Sequence, residues 1–220
     1  KLLLGLRYSR RFFAKLSEIQ EKMIKEGSVV ILSGVRTPVG SFRGSLSTES
    51  AVQLGAIVIQ QAIKAATILP EEIDEVYMGH SLQAGCKQLP ARQAALLGGC
   101  PVKVDCTSIN KVCASSLKAV TLAAQAILTK TDKFVVAGGM ESMSNAPFLV
   151  SREVPAYGGA QLMDSITYDA LTCSFNQIHM GECCEKLAKK YGITRLEQDE
   201  YAMMAYKRAL NASKNGMFKD

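Results

Sequence analysis

The 220 residues are 48% hydrophobic and 21% charged, enough apolar mass for a sizeable core in one large domain or two small ones. The apolar runs, Leu2 to Leu4 and Val29 to Leu32 among them, are too short to cross a bilayer, which takes about 20 consecutive apolar residues. The formal net charge of +6 does not mark a nucleic-acid partner, because the excess is concentrated: residues 1–17 hold Lys1, Arg7, Arg10, Arg11 and Lys15 and no acid.

Residues 1–27 read as a basic tail. An arm that binds phosphates and an organelle transit peptide are both open to it. The Arg-rich, acid-free, amphipathic stretch from Lys1 to Phe13 favours the transit peptide. Because the chain opens on lysine, we expect residues ahead of it.

The folded part is expected from Ser28, where Val29-Val-Ile-Leu reads as a buried strand closed by Gly34 and Thr37-Pro38. Between Ser50 and Thr67 the apolar residues Val52, Leu54, Ile57, Val58 and Ile63 recur at helical spacing, and Pro70-Glu71-Glu72 starts a short further turn. Val76 to Gly79 predicts a second strand, Pro90 to Leu97 a small-residue helix stopped by Gly98-Gly99, and Val104 to Ile109 a third strand. From Cys113 to Thr129 the positions Leu117, Val120, Ala124, Ile127 and Leu128 predict an apolar stripe on a helix buried nearly all round. Phe134 to Gly139 follows as a strand. Strands alternating with helices predict an α/β fold with helices layered on both sides of a buried sheet, α-β-α. Residues 146–180 carry Pro147, Pro155, Gly158 and Gly159 without sustained periodicity, and predict an irregular region with no strand. Helices are expected again at Gly181 to Tyr191 and Arg195 to Ser213.

The seven cysteines form no regular framework, and Cys183 and Cys184 are adjacent, so a reducing compartment fits better than disulfides. With two histidines and no Cys-x-x-Cys pair there is no ligand set for structural zinc. Gly138-Gly139 is followed by no Gly-Lys-Ser/Thr, which argues against a nucleotide loop.

The chemistry-bearing segment is Thr107-Ser-Ile-Asn-Lys-Val-Cys-Ala-Ser-Ser-Leu-Lys-Ala-Val, where a cysteine stands at the change from strand to small-residue helix. A helix N-terminus favours the thiolate, and the neighbouring amides can hold an oxyanion, which suits acyl transfer. On the residues alone a buried, inert cysteine remains the commoner outcome.

Asn110-Lys-Val-Cys-Ala-Ser-Ser-Leu-Lys-Ala resembles the active-site signature of the thiolase family. Val35-Arg-Thr-Pro-Val-Gly-Ser-Phe is similar to that family's opening motif, Gly138-Gly-Met-Glu-Ser-Met-Ser-Asn-Ala-Pro to the segment after its active-site helix, and His179-Met-Gly to its substrate-loop motif. The likeness spans residues 28–220, the N-terminal half of a thiolase, and points to the mitochondrial branch that makes or cleaves acetoacetyl-CoA.

What the resemblance implies is an acetyl-CoA C-acetyltransferase in which Cys113 takes the acyl group as a thioester. It further implies substrate contacts from Leu171, His179 and Met180, and a potassium ion held near CoA with help from Tyr206. No tightly bound cofactor is expected beyond the CoA thioesters that serve as substrates. A homo-oligomer, tetrameric by resemblance, in the mitochondrial matrix is expected. The division would be a tail (1–27), an incomplete N-terminal domain (28–145) and part of the inserted substrate loop domain (146–220). His80 is read as a satisfied polar group near a turn.

The 220 residues contain neither the family's Gly-His-Pro histidine nor its Cys-x-Gly cysteine, groups that activate the nucleophile and move the substrate proton. Ser116 stands where the family has glycine, and Lys186 where it has asparagine. A truncated thiolase-like protein that binds CoA esters or partner subunits without turnover therefore stays open. A β-ketoacyl synthase, which shares the fold, ranks lower because it lacks the Asn-Lys-Val-Cys-Ala-Ser and His-Met-Gly pairing.

Overall fold

The computed structural model describes residues 2–5, 28–153 and 157–218. Most of the basic tail lies outside these residues, so the transit-peptide reading is not addressed by the fold. Its described part, Leu2–Gly5, is a strand rather than unstructured tail (β1), and its backbone pairs antiparallel with two neighbours. The chain divides into two compact units, 1–166 and 167–220.

The first unit alternates strand and helix as expected. After β2 (Val30–Ser33) come α1 (Ala51–Ala66), a 3-10 turn (Pro70–Glu72) and β3 (Glu75–Gly79). Next are α2 (Pro90–Leu97), β4 (Asp105–Ile109), α3 (Ser115–Leu128) and β5 (Phe134–Gly139). Local chemistry sets the helix ends. Ser50 caps α1 through a capping box with Gln53, and Thr67 ends it in the left-handed conformation. Pro90 opens α2, where its missing N–H costs nothing.

The five-stranded sheet has the order β2-β1-β5-β3-β4. β3 pairs parallel with both β4 and β5, and β1 runs antiparallel between β2 and β5. Successive strand residues face opposite sides, so β5 divides its side chains between two cores. Val136, with Val76 and Met78 of β3, packs among residues of α1 and α2, including Ile59, Ile63, Ala94 and Ala95. Val135 and Ala137 pack instead with Ala119, Ala123 and Ile127 of α3. This is the expected α-β-α layering.

The buried face of α3 differs from the predicted stripe. Ser115, Ala119, Ala123 and Ile127 are buried, whereas Leu117 and Leu128 are 67% and 61% exposed. The reason is close approach. A Cβ on Gly79 would lie 2.5 Å from the backbone of Ser115 and Ser116, and one on Gly139 2.7 Å from Ser116 Cβ. Only the small-residue row, spaced four apart, can sit that near the strands.

The region after Asn145 contains two short strands that the composition did not announce. β6 (Phe148–Leu149) pairs antiparallel with β7 (Met163–Asp164), and the Ser165 hydroxyl and N–H both bond the Pro147 carbonyl. The first compact unit runs to Ile166 and so includes this hairpin. A π-helical stretch, Ile166–Leu171, leads into the second unit, which contains α4 (Met180–Tyr191) and α5 (Arg195–Lys214). Capping again marks both starts: His179 caps α4, and Thr194 caps α5 with a Glu197 capping box.

Candidate active site

Cys113 lies in the turn between β4 and α3, two residues ahead of the first helical residue. The helix thus starts later than predicted, and the thiol stands before its N-terminus, exposed. The Ala114 and Ser115 N–H groups, which have no carbonyl of the helix itself to bond, close the turn onto the Lys111 and Val112 carbonyls at 3.1 Å each.

The turn is braced from several sides. Val112 has φ 49°, the left-handed region that a β-branched residue seldom enters, so surrounding bonds must hold it there. Its carbonyl accepts from the Ser115 hydroxyl at 2.6 Å, the Ser115 N–H at 3.1 Å and the Ser81 hydroxyl at 3.0 Å. Its N–H donates to Asn110 Oδ1 at 3.0 Å, and Asn110 Nδ2 reaches the Ser81 carbonyl at 3.2 Å. Ser115 is buried and its hydroxyl also accepts the Lys111 N–H at 2.8 Å. Asn110, Ser115 and Ser81 therefore fix the backbone that presents Cys113.

Ser81 is held in turn by Glu141, whose carboxylate accepts the N–H groups of Ser81 (2.9 Å) and Leu82 (3.3 Å). His80 Nε2 lies 3.2 Å from Glu141 Oε1, within ion-pair range. His80 is 1% exposed, and neither ring nitrogen meets a partner in good hydrogen-bond geometry. It is a polar side chain next to a turn, as expected, but it is buried against a carboxylate rather than satisfied by hydrogen bonds. Burial is the largest influence on Glu141 and pushes its carboxyl up. The opposing influences, the nearby His80 ring and the Ser81 N–H first among them, together outweigh it and hold the group below the usual carboxylate value.

His80 also lines a cavity of about 450 Å³, with Gln93, Ser142 and Asn145. Asn145 Nδ2 bonds the carbonyls of Ser47 and Glu49 and the Ser142 hydroxyl, which closes one wall. Cys113 is not among the lining residues. Sequence reasoning missed Glu141, although the Gly138-Gly-Met-Glu segment contained it, because no spacing rule joins it to Ser81, 60 positions away.

The other expected site residues lie in the second unit. Leu171 ends the π-helical stretch, and Met180 is 49% exposed at the start of α4. His179 is exposed, with Nδ1 accepting the Gly181 N–H at 3.0 Å. With that nitrogen an acceptor, the neutral ring carries its proton on Nε2 and can donate it outward. Tyr206 presents an exposed phenol on α5. No group of three or more His, Cys, Asp or Glu side chains among the described residues converges as a metal site, so Tyr206 alone offers a cation one oxygen. Lys186 is exposed, and Ser116, also exposed, sets its Cβ close over Gly139 of β5.

The model of the thiolase N-terminal domain matches residues 29–220. The mitochondrial acetyl-CoA acetyltransferase of Bos taurus is 48% identical over 213 residues, covering 97% of this chain and 49% of its own length. That of Homo sapiens is 48% identical over 218 residues, covering 99% and 49%. A thiolase from Ascaris suum, crystallised in complex with coenzyme A, superposes with a TM-score of 0.80 at 46% identity, covering 86% of this chain and 49% of that one. The chain spans about half the length of the relatives it matches. With the signature around Cys113 set in the α-β-α layers that the solved relative shares, the chain belongs to the thiolase family and carries its N-terminal domain.

Proposed function

We propose that this chain is the N-terminal half of an acetyl-CoA C-acetyltransferase, in which Cys113 carries an acetyl group between CoA thioesters. The observation that carries this reading is an exposed thiol on a strained, cross-braced turn directly ahead of a helix N-terminus. The sulfur attacks the carbonyl carbon of acetyl-CoA, the carbon–sulfur bond to CoA breaks, and CoA leaves with the proton lost by Cys113. A second acetyl-CoA, attacking as its carbanion, takes the acetyl group to form acetoacetyl-CoA and frees the thiol. Thiolysis is the same sequence reversed. The amides at the start of α3 stabilise the oxyanion of each tetrahedral intermediate.

The groups that move protons belong, in this reading, to the other half of a thiolase, since these residues contain no Gly-His-Pro and no Cys-x-Gly. Leu171, His179 and Met180 are assigned to the acyl and pantetheine contacts, the exposed His179 Nε2 offering the polar one. Tyr206 is assigned one oxygen of a potassium site whose other ligands lie elsewhere. Residues from 146 onward are read as part of the inserted loop domain. The relatives' names support a mitochondrial protein. A place in the matrix, a role in fatty acid and ketone body metabolism and a homotetrameric assembly belong to the same proposal.

The test is to incubate the full chain with acetyl-CoA and locate adducts by peptide mass spectrometry. An acetyl group on Cys113, absent from Cys113→Ala, is the expected result. Finding no adduct while a small thiol reagent readily labels Cys113 would overturn the reading.

A further inference from the structure

A second pair of sulfurs lies outside the Cys113 turn. Cys173 and Cys183 belong to the second unit, at the two ends of the segment 174–182. The backbone brings these ends together: Thr172 bridges His179, the Cys173 N–H donates to the Ile178 carbonyl at 2.8 Å, and the Gln177 N–H to the Cys173 carbonyl at 2.8 Å. The Cys183 N–H in turn donates to the His179 carbonyl at 3.2 Å. Cys173 is thereby set next to the first turn of α4, on which Cys183 stands.

The two sulfurs are not equivalent. Backbone N–H groups of Asn176 and then Phe175 aim at Cys173 Sγ, Asn176 Nδ2 approaches it at 3.5 Å, and these donors hold its thiol below the ordinary value. Around Cys183, burial and the neighbouring Cys173 sulfur push its thiol up, Lys186 acting to lower it and Glu182 to raise it. Cys173 is the better thiolate, and Cys183 the thiol that keeps its proton more readily. Cys184, on the next helical position about 100° further round α4, is exposed and serves as a built-in comparison.

We propose that Cys173 and Cys183 form a reversible, hydroperoxide-responsive disulfide that staples the segment carrying His179 and Met180. The Cys173 thiolate attacks the peroxide, the O–O bond breaks, and the sulfur is oxidised to a sulfenic acid as the other oxygen leaves as hydroxide. Cys183 then attacks that sulfur, the S–O bond breaks, and the departing hydroxide takes up the Cys183 proton as water. A small thiol restores both groups by exchange. Any effect of the staple on acyl transfer rests on the function proposed above, whereas its formation does not.

The test treats the full chain with stoichiometric hydrogen peroxide, blocks remaining thiols by alkylation and maps the digest by mass spectrometry. The expected product is a Cys173–Cys183 cross-link, in roughly tenfold excess over any Cys173–Cys184 link and reversed by dithiothreitol. In Cys183→Ser, dimedone should trap a sulfenic acid on Cys173. Equal linkage to Cys183 and Cys184, or both sulfurs recovered alkylated while Cys113 or Cys184 is oxidised, would overturn the proposal. Because the readout is the cross-link itself, a negative result leaves the acetyl adduct on Cys113 a separate question.

Discussion

The Ser115 hydroxyl donates to the Val112 carbonyl at 2.6 Å while accepting the Lys111 N–H at 2.8 Å, so one buried side chain after Cys113 ties the turn to the two residues before it. In Ser115→Ala the Lys111 N–H loses its partner, which should cost about 1–3 kcal/mol. The left-handed Val112 should relax with it, slowing acetylation of Cys113 several-fold. Denaturant titration and the rate of adduct formation check the two effects separately. Unchanged values for both would mean that the turn is held without Ser115.

Helix α3 depends on the missing Cβ at Gly79. Gly79→Ala places a carbon 2.5 Å from the backbone of Ser115 and Ser116, atoms that no rotamer change can move. We expect a loss of at least about 2 kcal/mol, or an insoluble chain. Gly99→Ala is the control: its φ is 94°, but nothing lies within 4 Å of the added carbon. It should cost only about 1 kcal/mol of backbone strain. Thermal melts of the two variants should therefore separate clearly.

Glu141 makes stability depend on acid. Its folded carboxyl sits below the unfolded value of about 4.5, so its contribution is fully present above that value and is lost as the pH falls through the folded one. Glu141→Gln should lower stability by about 1–3 kcal/mol near neutral pH. The gap to the unsubstituted chain should shrink on acidification below 4.5. Paired denaturation curves across that range test the sign, and a gap that widens in acid would contradict it.

The two faces of α3 should tolerate substitution differently. Ala123 is fully buried, so Ala123→Leu overpacks the layer and should cost about 1–3 kcal/mol. Leu117, at 67% exposed, should accept Leu117→Ser within roughly 0.5 kcal/mol. Comparable losses for both would show that Leu117 is covered in solution.

Much of the architecture was legible from local signals. The apolar spacing after Ser50, Pro90 at a helix start and the apolar run of β5 gave element bounds within a residue or two. The signature around Cys113 pointed to the family. What escaped was decided by distance: the predicted stripe counted Leu117 and Leu128 as core because hydrophobicity alone was weighed. The strands select instead the residues small enough to approach Gly79 and Gly139.

His80 shows the same limit. Next to a turn-like Ser-Leu-Gln it reads as a satisfied polar group, yet β3 carries it into the interior against a carboxylate 61 positions later. By itself the sequence determined the alternation of strand and helix, the approximate ends of the helices and the family, because propensity, periodicity and motif are written within a few residues. Only the tertiary structure decided which face of α3 is buried, which side chains brace Cys113 and which cysteines meet. Those relations join residues far apart in the chain, and only the packed sheet and loops bring them within bonding range.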